Sequence, residues 1–194
     1  MYSTISESYK LLNQELHERP RGFGGDGDKH HKRVRALIDK YHIIKVLDYG
    51  AGQCKLEQAF IQEEKHTGKD FPEWRNYDPA IDELSEKPGK QERFDLVVCT
   101  DVLEHVEPCF LENVLAEICD YSAQLAYLAI ACQPANKTLP DGRNAHLIQE
   151  PPWWWLEKLS LNEWHIKEAH FEYPKDKGKP FEPKRFTVLL EKDH

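Results

Sequence analysis

No stretch of the chain approaches the ~18 consecutive apolar residues that a membrane-crossing helix needs, so no spanning segment is expected. The N-terminal "MYSTISESYKLLNQELHERP" lacks a basic segment leading into an apolar core, and so does not read as a secretory signal. The five cysteines (Cys54, Cys99, Cys109, Cys119 and Cys132) include no Cys-x-x-Cys pair. An odd set of thiols without a disulfide framework points to a reducing compartment, and the expected location is cytoplasmic. Internal repeats and low-complexity tracts are also missing, which excludes solenoids and arrays. A basic surplus is missing too: 26 Lys and Arg stand against 34 Asp and Glu, for a net charge of −8. Contact with many backbone phosphates needs a basic face, so this balance counts against a nucleic-acid partner without closing it off. His30, His31 and His42 are the only histidines close together in sequence, and no Cys or acid stands at ligand spacing from them. No metal site is expected.

What is present fits one soluble domain spanning residues 1–194, with residues 1–40 as a helical and glycine-loop extension. That extension carries a charge of +2 and leaves −10 for the remainder, much of the difference coming from "KHHKRVR" at 29–35. Such a run is either a solvated helix face or a local contact to phosphate or carboxylate.

Residues 3–19 set Ile5, Tyr9, Leu12 and Leu16 at helical spacing. "RPRGFGGDGDK", 19–29, then breaks regularity; with Lys29 and His30 it is either a flexible linker or a segment closing over a ligand. Short apolar runs at 43–50, 73–78, 93–101 and 125–133 read as strands, with helices between them at 54–66 and 109–122. "PPWWWLEKLS" opens a helix with proline at its start, and 165–173 and 185–192 alternate as closing strands. Strands alternating with helices predict an α/β fold, a doubly wound and mostly parallel sheet with antiparallel closing strands. In such sheets ligands sit beyond the carboxyl ends of the strands. Asp48, Asp78 and Asp101 all fall there. The turn "DYGAG", with Gly50 and Gly52 before a helix, is on its own as compatible with tight packing as with a ligand. Asp78, followed by Pro79, reads either as a cap or turn residue or as an acceptor for both hydroxyls of a ribose.

In this order "VLDYGAGQCKL", "NYDPA" and "FDLVVCTDVLEHV" resemble the first, second and fourth motifs of class I S-adenosylmethionine-dependent methyltransferases, of the small single-domain type whose post-strand motif reads D-V-L-E-H-V. The resemblance covers residues 43–132 and implies a Rossmann-like methyltransferase fold with S-adenosylmethionine as cofactor. It implies that the backbone of Gly50 and Gly52 faces the methionine moiety with Asp48 near its amino group. Asp78 would take the ribose hydroxyls, and Asp101, Val102 and Leu103 would line the sulfonium end. There are two departures. Cys54 stands where the motif often has a third glycine, and "PAIDELSEKPGKQER" is short for the usual helix–strand–helix, so the third-strand region is expected to be reduced or missing.

Methyl transfer is helped mainly by alignment and exclusion of water, and a base is needed only where the acceptor must lose a proton. His105 and His146 are the candidate catalytic bases, against plainer roles as a loop anchor and a surface residue. The long connection 131–156 is the expected source of acceptor selectivity, with Arg143 and Asn144 offering groups to grip a polar substrate. Trp153, Trp154 and Trp155 point about 100° apart on a helix, so at most one or two belong to the core; Trp153 is a candidate substrate contact. The expected function is methyl transfer to a small molecule or a modified nucleotide or sugar. The alternatives are a catalytically silent cofactor-binding domain and a nucleic-acid methyltransferase, the latter disfavoured because no N-P-P-[YW]-like motif follows the fourth-motif strand.

Overall fold

The computed structural model describes residues 3–18, 24–161, 164–174 and 182–192. Six strands form one sheet: β1 (Lys45–Tyr49), β2 (Glu73–Tyr77), β3 (Phe94–Thr100), β4 (Ser122–Ala131), β5 (Trp164–Glu172) and β6 (Arg185–Lys192), in the order β2-β1-β3-β4-β6-β5. β2, β1, β3 and β4 run parallel, while β6 pairs antiparallel with β4 and β5 antiparallel with β6. The mostly parallel sheet with antiparallel closing strands expected from the sequence is the one observed.

Near-continuous apolar strands are explained by cover on both faces. Along β3, Val97 and Cys99 enter one core cluster while Leu96 and Val98 enter the other. The first cluster is closed by α4 (Leu111–Tyr121) through Val114, Leu115 and Ile118, and by α5 (Pro152–Ser160) through Trp155 and Leu159. The second is closed by α2 (His31–Tyr41) through Val34 and Leu37, and by α3 (Lys55–Thr67) through Leu56 and Phe60. α1 (Glu7–Glu18) makes a third, smaller cluster in which Tyr9 and Leu16 pack on Leu139. It is pinned at its start where the Ser6 backbone N–H and hydroxyl donate to the Glu107 carboxylate, both at 2.8 Å.

Between β2 and β3 there is only a single 3-10 turn, Asp82–Leu84, among the described residues. The proline, glycine and charges of that stretch offer no apolar face to bury, so the third-strand region is missing and β2 becomes an edge strand with Glu73 exposed. The connection from β1 runs out to β2 and then back across to β3 on the other side, which opens a crevice at the carboxyl ends of β1 and β3.

The three tryptophans separate as helical geometry demands: Trp155 is fully buried, Trp154 half-buried edge-on against it, and Trp153 62% exposed. Replacing Trp155 with alanine is expected to cost about 3–5 kcal/mol in urea denaturation. Trp153→Ala should change stability by no more than about 0.5 kcal/mol. Equal effects would contradict this packing.

Candidate functional site

Parallel register brings the strand ends together: Asp48 pairs with Asn76 of β2 and Val98 of β3, Asp78 follows β2 directly, and Asp101 follows β3. All three acids line one cavity of about 1020 Å³, walled also by α1, the turn 50–53, the stretch 100–107 and the start of the connection after β4. That volume lies at the upper end for small-molecule sites and has room for two ligands.

The glycine turn is shaped by the protein itself. Gly50 (φ +79°) and Gly52 (φ +53°) both adopt the left-handed conformation. A Cβ on Gly50 would fall 2.4 Å from Val102 Cγ2, and one on Gly52 would fall 2.5 Å from Gly24 Cα. Their N–H groups are also committed, Gly50 to the Tyr77 carbonyl at 2.7 Å and Gly52 to Asp78 Oδ2 at 3.0 Å. Both residues line the cavity, and a side chain at either position is excluded by Val102 and Gly24 of the protein itself. Of the glycine stretch 22–27, residues 22 and 23 lie outside the described residues. The remainder packs on the turn, with the Gly24 carbonyl accepting from Gln53 N–H at 3.2 Å.

Four acids of this region, three buried and Asp101 partly exposed, differ in how their charge is met. Asp78 accepts from the backbone N–H groups of Gly52 (3.0 Å) and Ala80 (2.9 Å), and so braces both strand-end turns. Asp101, itself at φ +57°, contacts Lys29 Nζ at 2.6 Å and Arg185 Nη2 at 2.8 Å, with His30 Nε2 at 3.8 Å. Burial alone would raise its pKa, but the nearby His30 ring and the Arg185 and Lys29 charges outweigh that and hold the carboxyl well below the usual range. Asp48 has no hydrogen-bond or ion-pair partner among the described residues; burial, with Asp78 and Glu57 nearby, pushes its carboxyl up to about 7. Glu104, fully buried, accepts from Ala131 N–H through Oε1 at 3.0 Å, while Oε2 has no hydrogen-bond partner. Burial, and secondarily Asp101, pushes the Glu104 carboxyl up to about 8.

His105 and His146 lie 41 positions apart in sequence, yet their rings meet edge-to-face with centroids 4.8 Å apart. Each Nδ1 donates to a backbone carbonyl, His105 to Ala145 at 2.8 Å and His146 to Gln133 at 2.5 Å, which puts the lone pair on Nε2 in both rings. Burial, with His146 beside it, pushes His105 down to about 4; burial also lowers His146. Both rings are neutral at pH 7, and His105 is too weak a base to hold a proton there.

Other candidates fall elsewhere. Leu103 does not line the cavity: it is fully buried in the core, because the 3-10 turn Leu103–His105 points it back under the sheet's carboxyl rim. Val102 does line the cavity, against Gly50. Arg143 is paired with Asp141 (Nη2 to Oδ2, 2.7 Å) and lies over the Tyr9 ring. Asn144 closes the connection on itself, bonding both backbone groups of Ala135 at 2.9 Å and accepting from His146 N–H at 2.9 Å. Neither residue lines the cavity, nor does the exposed Trp153. Glu104 was passed over in the sequence, where its signal was an acid between Leu103 and His105 just past a buried strand.

A scan against protein-family models and a search of curated proteins both return no match. Solved structures do match. The fold is that of S-adenosylmethionine-dependent methyltransferases. Coclaurine N-methyltransferase, bound to N-methylheliamine and S-adenosylhomocysteine, superposes with a TM-score of 0.60 at 13% identity, covering 98% of this chain and 84% of that one. Magnesium protoporphyrin IX methyltransferase from Synechocystis PCC 6803, with bound S-adenosylhomocysteine, gives 0.54 at 14% identity over 96% and 95%. An S-adenosylmethionine-dependent methyltransferase from Clostridium acetobutylicum ATCC 824 gives 0.56 at 11% over 87% and 93%.

Two outcomes are expected from this geometry. Gly52→Ala drives a methyl into the Gly24 backbone and should cost more than about 3 kcal/mol, whereas Gly68→Ala, also at positive φ but with open space around it, should cost about 1 kcal/mol. Urea melts of the two variants decide the comparison. Asp48 keeps a proton in the folded chain that it releases near its ordinary value of 3.8 when unfolded. Its contribution is therefore full below about pH 4, declines as pH rises, and is gone above about pH 7, a loss of roughly 3–5 kcal/mol. Asp48→Asn should flatten that decline between pH 4.5 and 8; identical pH slopes for the two proteins would mean Asp48 ionises freely.

Proposed function

We propose that this protein transfers a methyl group from S-adenosylmethionine to a small molecule or a modified nucleotide or sugar. The observation that carries the reading is Asp48: a buried acid facing a large cavity, with two further acids as its neighbours and no cation of the described chain to compensate it. A cationic ligand removes that deficit, and the ammonium of the cofactor is such a cation. The donor set therefore fits the cofactor. Asp48 would hold the amino group, and the Asp78 oxygens, each with a lone pair left after its backbone bond, would accept the ribose hydroxyls. Asp101 and Val102 would border the sulfonium end. When bound, the cofactor supplies a methyl group activated by its positive sulfur. The chain's part is to align the partners and exclude water, which by itself is worth effective molarities of ~10⁵ M or more. His105 and His146 contribute lone pairs at Nε2, on the side of the cavity away from β2. A net charge of −8 supports a small acceptor over a nucleic-acid polymer.

Calorimetry with S-adenosylhomocysteine tests the reading. Binding is expected, with affinity rising as pH approaches 7 because the ligand's ammonium favours ionised Asp48. Asp48→Asn should bind at least tenfold more weakly at pH 8 and show no such rise. Absence of binding by the folded wild-type protein would sink the assignment.

A further inference from the structure

We propose that Glu104, His105 and His146 form a binding site for one divalent transition-metal cation at the β3–β4 side of the cavity. One donor atom from each side chain lies within 4.8 Å of the donors of the other two. Donors around a cation at about 2.1 Å stand up to about 4.2 Å apart, so side-chain adjustments at the scale of a rotamer close the cluster.

Three independent features prepare these groups as ligands. Both imidazoles give Nδ1–H to a backbone carbonyl, Ala145 for His105 and Gln133 for His146. That fixes ring orientation and places the coordinating lone pair on Nε2, the outer-sphere arrangement that metal-bound histidines adopt almost without exception. Glu104 spends one oxygen on Ala131 N–H and keeps the other buried without a hydrogen-bond partner. A carboxylate oxygen in that state is costly unless a proton or a cation meets it. The two halves of the site are also tied together by the backbone, since Ile148 N–H donates to the Glu104 carbonyl at 3.0 Å and Asn144 Oδ1 holds the His146 amide at 2.9 Å.

The donor set names the class of ion. Two imidazoles and one carboxylate suit Mn²⁺, Fe²⁺, Co²⁺ or Zn²⁺, whereas Mg²⁺ and Ca²⁺ prefer oxygen alone. Three protein ligands leave positions open on the ion, and all three residues line the cavity, so those positions suit an oxygen-bearing methyl acceptor. That last step rests on the methyl-transfer reading; cation binding does not.

The test is a titration of the chelator-treated full chain with CoCl2, following the visible ligand-field bands, and with MnCl2 by electron paramagnetic resonance. One equivalent of Co²⁺ is expected, with at least tenfold weaker binding in His146→Ala and in Glu104→Gln. His146→Ala alters a partly exposed loop position and decides the matter if Glu104→Gln does not fold. His170→Ala, on the exposed face of β5, should bind as the wild type does. No saturable uptake, or uptake that survives His146→Ala, or uptake that His170→Ala abolishes, overturns the site. S-adenosylhomocysteine binding without metal uptake rejects the cation and leaves the methyl-transfer reading standing; metal uptake without S-adenosylhomocysteine binding does the reverse.

Discussion

Negative charge cannot be gathered in a water-poor crevice without something to meet it, and this constraint organises the whole rim of the sheet. Parallel pairing of β1 with β2 and β3 forces Asp48, Asp78 and Asp101 into one neighbourhood, and the turn after β3 adds Glu104. Two of the four are met from within. Asp101 draws Lys29 from the N-terminal segment and Arg185 from β6, and so fastens two distant parts of the chain to the end of β3. Asp78 draws backbone N–H groups and in doing so sets the path of the glycine turn. The other two, Asp48 and one oxygen of Glu104, find no partner among the described residues. A chain selected only to fold would gain by replacing them with apolar groups. Their retention at the cavity wall is the strongest physical argument that something positively charged visits it, and it weighs against a silent scaffold.

Much of this was legible in the sequence because it depends on local pattern. Apolar runs located β1, β3 and β4, the first two closed by Gly or Asp, and the spacing of Val34, Leu37 and Ile38 located α2. The shortened third-strand region was readable through the resemblance, since the fifteen residues 79–93 are short for the usual helix–strand–helix. Trp153–Trp155 followed from helical rotation alone.

The remainder was illegible for a common reason: it depends on which distant segments meet. Nothing around position 52 in the sequence reveals that Gly24 presses against Gly52. Arg143 and Asn144 read as polar residues in a long connection, and the sequence does not show that Asn144 bonds Ala135 and His146 or that Arg143 pairs with Asp141. Proximity in sequence does not reveal that the hairpin 137–145 carries His146 back to His105. Glu104 was hidden by its own burial, since an acid beside Leu103 resembles a solvent-facing residue until the turn is seen to bury both.

The folding of the connection 131–151 also settles how the cavity is divided. Asp48 and Asp78 stand over β1 and β2, while Glu104, His105 and His146 gather over β3 and β4, with the Asp101 ion-pair cluster beside them. The β1–β2 half offers only acids and suits a cationic ligand. The β3–β4 half offers neutral nitrogen lone pairs and a single carboxylate oxygen, which suits an ion or a hydrogen-bond donor instead. Val102 lies at the seam, pressed against Gly50, so any ligand reaching from one half to the other must pass that side chain. For the proposed methyl transfer such a boundary would hold one partner by charge on the acidic side and orient the other by directional donors across from it, with little room for water between.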